Sequence, residues 1–378
     1  MKNIFENYES VKLEIFQPDY ANFIIVFLFF LIITVTINKN KDNESENCLL
    51  SLSHTNQLRG IAIFFVILGH LWVHVSKTGA KIILSGDAVS LFLIISGFGL
   101  VMSTRNGSIY FKDFFFKRIK RVMLPYWIVT IFVLILDYFI LKRTLQFRSL
   151  MMTFLGINTS IELEHLDYVR WFVTFILLWY LLFYAFFLKY KTKYSLILLF
   201  IIAFNLQLLN YYVLHLSWYH FFSFPVGCYL AFYHKKILTY YKEYKLMFIF
   251  LAISGMTYVL MYKFFMGDEN IHSIVVETIP NIILVYVSEG NGLIMSISCL
   301  ILLSQVIERG YSSKILLFLG KYSYELFLLH GIFLIKYNPI IKGHMAFDIL
   351  IQFSTFFLFI TGISVLIHKI HTSMYEIK

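Results

Sequence analysis

The sequence predicts an all-α polytopic membrane protein of about 11 transmembrane helices, and three observations carry that reading. Of its 378 residues 59% are hydrophobic and only 14% charged, with a mean hydropathy of +0.74. A soluble domain carries about a quarter of its residues as charge. The apolar residues fall in blocks long enough for a helix rising about 1.5 Å per residue to cross about 30 Å of hydrocarbon. Lys and Arg gather between alternate blocks, as they do on the cytoplasmic side of a membrane protein.

In chain order the blocks centre on residues 21–37, 59–75, 88–103, 122–141, 169–188, 194–209, 218–233, 246–262, 292–307, 315–335 and 349–368. The first is followed by the polar linker "NKNKDNESEN" (38–47), so residues 1–50 read as an extra N-terminal helix with its linker and 51–378 as the main membrane domain. The second block carries Arg59 and His70, and the fourth follows the basic run "FKRIKR" and Pro125. Arg170 and Trp171 open the fifth and read as an interfacial anchor, because such side chains favour the headgroup level. The tenth contains "LGKYSYELFLLH". With residues 1–20 outside, nineteen of the 32 Lys and Arg fall in cytoplasmic segments, ten in outer segments, and Arg59, Arg170 and Lys321 at or within helices.

The net charge of +10 is spread over the loops, where membrane orientation and anionic lipid account for it, so no nucleic-acid partner is expected. Cys48, Cys228 and Cys299 show no CxxC spacing; neither a metal site nor a disulfide framework is expected from them. The largely polar stretch before the first apolar block is unlike a cleavable signal peptide.

Arg59 and His70 stand eleven residues apart, which on a helix is about 1100° of turn, or three turns and about 20°, and about 16 Å of rise. They therefore share one face, with Arg59 at the cytoplasmic mouth and His70 near mid-membrane. An ionisable group at that depth faces the bundle interior or a wet cavity and marks a functional-site candidate, whereas an arginine at a helix end can also snorkel to the surface. Arg118 and Arg121 lie three apart, on one face of a helix expected to enter the membrane at Pro125. Guanidinium forks suit phosphate oxygens, although "KRIKR" also serves as a topology signal.

Together these residues resemble the acyltransferase 3 family of bacterial membrane acyltransferases. That family has an arginine and a histidine separated by ten residues in its first core helix, matched by Arg59 and His70. A phenylalanine-rich run closing on Ser-Gly-Phe follows, similar to "AVSLFLIISGF" with Ser96, Gly97 and Phe98. Then comes an Arg-x-x-Arg, here Arg118 and Arg121, and near the C-terminus a Gly-x-x-Ser-Tyr segment leading to a histidine, here Gly320, Ser323, Tyr324 and His330. The resemblance spans residues 55 to about 368, in ten helices. It departs at Ala88 and Ser90, where the family has a glycine and an acidic residue; Asp87 is close but out of register. The extracytoplasmic hydrolase domain of many relatives has no room here, because the largest expected outer loop is only residues 263–291.

The resemblance implies transfer of an acyl group, usually acetyl, from cytosolic acyl-CoA to a hydroxyl of a cell-surface or lipid-linked glycan, in a bacterial plasma membrane and without a metal. His70 would act as general base, with Arg59 holding coenzyme phosphate or balancing charge and Arg118 and Arg121 binding the donor. Ser96 and His330 are additional site candidates, His330 equally readable as a helix-to-helix hydrogen bond. The rival classes are a transporter or flippase, which would favour broken helices in two related halves, a polytopic glycosyltransferase, which would need a large acidic first outer loop, and a partner-organising protein without chemistry.

Overall fold

A computed structural model describes residues 12–39, 49–105, 111–159, 166–188, 192–216, 219–337 and 345–376. These hold fifteen α-helices and one two-stranded sheet. In order they are α1 (Pro18–Val35), β1 (Ile37–Lys39), α2 (Leu52–His70), α3 (Ser85–Arg105), α4 (Phe111–Leu136), α5 (Phe147–Phe154), α6 (Trp171–Leu182), α7 (Lys193–Leu209) and α8 (Ser223–Phe232). There follow α9 (His234–Glu243), α10 (Lys245–Met266), α11 (Glu269–Thr278), α12 (Asn281–Glu308), β2 (Tyr311–Ser313), α13 (Lys314–Lys321), α14 (Ser323–Gly331) and α15 (Ala346–Glu376).

Each of the eleven apolar blocks is helical, but they are not equal. Eight helices are long and apolar enough to cross a membrane among the described residues. The tenth block is a bent pair, α13 and α14 with their continuation to Leu334, turning by 66° at the break. The fifth and seventh are the shorter apolar helices Trp171–Phe187 and Ser223–Phe232.

Two expectations are corrected, those for the outer loop 263–291 and for Arg170. The expected outer loop 263–291 is mostly helix: α11 fills 269–278 and α12 begins at Asn281. At its end Glu289 and Asn291 are buried inside the bundle, where Glu289 Oε1 accepts from the backbone N–H of Phe222 at 3.0 Å. Arg118, Arg121 and Pro125 share one helix as expected, α4, which begins at Phe111 and carries the proline inside it. Proline is tolerated there because neighbours can serve the freed carbonyls, and the Tyr324 hydroxyl donates to the adjacent Val122 carbonyl at 2.9 Å. Arg170 is no interfacial anchor. It is 1% exposed, donates to Thr130 Oγ1 at 2.7 Å, and lies over the Tyr126 ring, 5.1 Å from its centre.

The ends of the bundle are tied as the alternation of the blocks requires. At one end β1 pairs antiparallel with β2, Ile37 opposite Ser313, and Lys245 bonds Glu308. At the other, Lys12 donates to the Val73 carbonyl, Asp19 accepts from the Lys81 N–H, and Lys81 pairs with Asp268 at 3.4 Å. The helix α1, apart in sequence, is packed on the bundle between these ties. Phe29 stacks on Phe64 with ring centres 3.6 Å apart, and Asn22 Oδ1 accepts from the Trp72 indole N–H at 2.8 Å.

The core is organised around α2, whose residues Ala62 to Gly69 are all buried. Two backbone-to-backbone crossings fix it. A Cβ on Gly60 would stand 2.3 Å from the Leu316 carbonyl oxygen and one on Gly320 only 1.8 Å from that of Asn56, so α2 and α13 touch through these glycines. In the same way α3 and α8 cross at Gly97 and Gly227, where an added Cβ would meet carbonyl oxygens at 2.3 and 2.1 Å. Such small-residue contacts let helices approach closely where burial in lipid supplies no hydrophobic drive.

Candidate functional site

Arg59 lies two turns into α2, between the two residues, Asn56 and Gly60, that touch α13, and its Nη1 donates to Asn56 Oδ1 at 3.0 Å. The first half of α4 lies beside it. Arg118 reaches back to α3, donating to Ser103 Oγ at 2.9 Å, while Arg121 is exposed. All three guanidinium groups come within electrostatic reach of the Tyr180 hydroxyl, which itself hydrogen-bonds Ser96. Four sequence candidates, Arg59, Ser96, Arg118 and Arg121, are thus gathered at the β1–β2 end of the bundle around Tyr180, a residue the sequence offered no reason to choose. Three cations near one phenol and a serine hydroxyl form a basic cluster whose guanidinium forks can pair with phosphate oxygens.

The second constellation lies deeper. The α-helix α2 ends at His70 and continues as a π turn over Leu71–Val75, and α14 likewise passes into a π turn at Ile332–Lys336. Helices α2 and α14 pack together, bringing His70 Nδ1 to 2.8 Å from His330 Nε2 with the two rings stacked at 4.9 Å. The widened turn after His70 also sets the His74 ring 5.4 Å from it. His74 was not singled out from sequence, although its i+4 spacing from His70 puts it on the same helix face.

Hydrogen bonding determines where the protons sit. His330 is fully buried, and its Nδ1 faces the carbonyls of Phe327 at 2.7 Å and Leu326 at 3.2 Å. Carbonyls only accept, so Nδ1 of His330 carries the proton, and in the neutral ring Nε2 is an acceptor. His70 must then donate from Nδ1, which leaves its lone pair on Nε2. In the neutral pair each ring nitrogen then has one role, and Nε2 is the acceptor nitrogen of His70.

Asp87 is buried and ion-paired to Lys263 at 3.0 Å, so a carboxylate does occupy the start of α3 despite its shifted register. Glu325, one turn before His330 and more, contacts α15 instead, where its Oε1 accepts from His368 Nδ1 at 2.8 Å.

A family model described as an acyltransferase domain, Acyl_transf_3, matches residues 55–369. The chain belongs to that acyltransferase family. No curated protein and no solved structure gives a match. The matched span begins in α2 and ends in α15, so it contains both constellations of this membrane acyltransferase and leaves α1 outside.

Proposed function

We propose that this acyltransferase moves an acyl group, acetyl in the first place, from cytosolic acyl-CoA to a hydroxyl of a cell-surface or lipid-linked glycan, across a bacterial plasma membrane. The observation that supports it most is the His70–His330 pair, two imidazoles joined Nδ1 to Nε2 in an arrangement that in the neutral state puts the His70 lone pair on Nε2. In this reading the arginine end faces the cytosol. Coenzyme A is polyanionic and stays at that mouth, its phosphates on Arg59, Arg118 and Arg121, while its thioester arm reaches inward.

His70 Nε2 takes the proton of the acceptor hydroxyl as the oxygen attacks the thioester carbonyl. The C–S bond breaks, the coenzyme thiolate leaves and is protonated, and an ester forms. His330 is a positioning residue: by accepting from His70 Nδ1 it fixes the productive tautomer and stabilises the imidazolium that forms. Attack by the acceptor from the opposite side of the membrane joins the two substrates at the depth where neither must cross fully.

The test is compositional analysis of the surface glycan from cells with and without this chain. Loss of an alkali-labile O-acetyl signal on deletion, restored by the wild-type chain, is expected. An unchanged glycan and an unchanged lipid-linked precursor would reject the acceptor class.

A further inference from the structure

A third cluster joins α14 to α15 and shares no residue with the two constellations above. Glu325, in the first turn of α14, faces His368 and His371, which lie one turn apart near the end of α15. His368 Nδ1 is 2.8 Å and His371 Nδ1 3.4 Å from the same oxygen, Glu325 Oε1, and one coordinating atom from each residue lies within 4.8 Å of the others. The side chains are largely enclosed, at 3% exposure for Glu325, 19% for His368 and 12% for His371.

We propose that Glu325, His368 and His371 bind a divalent transition-metal ion, Zn²⁺ in the first place. A tetrahedral ion with bonds of about 2.0–2.1 Å needs donor atoms about 3.3 Å apart. The 2.8 and 3.4 Å separations are within a small side-chain adjustment of that. Two imidazole nitrogens and one carboxylate favour Zn²⁺ over Mg²⁺ or Ca²⁺, which prefer all-oxygen shells. The convergence is also informative in itself. Two imidazoles serving only as hydrogen-bond donors could divide between the carboxylate's two oxygens, whereas both approach Oε1. Arg121, within electrostatic reach of His371, opposes a cation, but it is exposed and its field is screened by solvent and salt.

The site would join α14 to α15 just after the 66° bend. His330 follows Glu325 by five residues, about 7.5 Å along α14, so an ion there fixes the helix that presents His330. The binding site itself does not depend on the acyl-transfer reading.

Full-length protein in detergent, stripped with a chelator and re-equilibrated with Zn²⁺, should hold one ion per chain by elemental analysis. His368→Ala/His371→Ala should lose it, and His272→Ala, on the exposed face of α11, should keep it. Zn²⁺ should raise the Tm of the wild type but not of the double variant. Equal Zn²⁺ in wild type and double variant would overturn the proposal and leave a hydrogen-bonded carboxylate–imidazole group. Should the double variant fail to fold, Co²⁺ loading of the wild type decides: tetrahedral d–d absorption supports the site, and its absence overturns it.

Discussion

His330 and Arg59 show how differently two residues of one motif set can be read. In isolation a histidine in an aromatic run is as readily a structural hydrogen bond as a catalytic group; in the structure His330 bonds carbonyls of its own helix through Nδ1 and presents Nε2 to His70. If positioning is its role, His330→Leu should lower acyl transfer on the order of 10- to 100-fold, the size that orienting partners of imidazoles have elsewhere, with donor affinity unchanged. His330→Gln, whose amide oxygen can still accept from His70 Nδ1, should recover part of the rate. Arg59 donates to Asn56 and lies among Arg118, Arg121 and Tyr180. Arg59→Lys should therefore weaken acyl-CoA binding measured on purified protein, because lysine keeps the charge and loses the planar fork. The Arg118→Ala/Arg121→Ala variant should weaken it further while remaining folded, since the cost of removing half-exposed charges is small. Full affinity in both variants would reduce the arginines to topology signals. Glu325, His368 and His371 lay beyond sequence reading because their proximity depends on packing of α14 against α15, across forty-three residues of chain.

Among the helices, the glycines of the motifs are packing devices before they are anything else. Gly97 of the Ser-Gly-Phe segment and Gly320 of Gly-x-x-Ser-Tyr each stand where two backbones touch. Gly97→Ala should lower the stability of the purified protein by about 1–3 kcal/mol, the range for overpacking. Gly99→Ala, where an added Cβ meets nothing within 4 Å, should leave it unchanged in the same thermal-unfolding assay. Helix positions were legible because a 20-residue apolar block has few alternatives. Harder to read were Glu289, Asn291 and Arg170, polar residues buried inside the bundle, which a sequence window cannot distinguish from solvent-facing ones. Length was uneven too, since α8 is a short apolar helix and α13–α14 a bent pair, features that hydropathy does not contain.

At the scale of the whole molecule, two ends tied by different contacts enclose a buried α2 that carries Arg59 at one depth and His70 at another. Cysteines placed at Lys77 and Asn270 should label from one side of the membrane and at Lys39 and Tyr311 from the other, in a background lacking Cys48, Cys228 and Cys299; labelling of all four from one side would break this topology. The mixed outcome of sequence reading follows from the same architecture. The His70–His330 and Arg59–Arg118–Arg121 groups were visible as motif members, but Tyr180 and His74 were not chosen, because only the assembled bundle shows what surrounds them. The central claim is that His70 is the base for acyl transfer. Inverted membrane vesicles containing equal amounts of wild-type or His70→Ala protein, supplied with radiolabelled acetyl-CoA, measure it through alkali-labile label in the glycan fraction. The predicted result is a loss of about 10²–10⁴ in rate for His70→Ala with acetyl-CoA affinity intact, and transfer at the wild-type rate in that variant would contradict it.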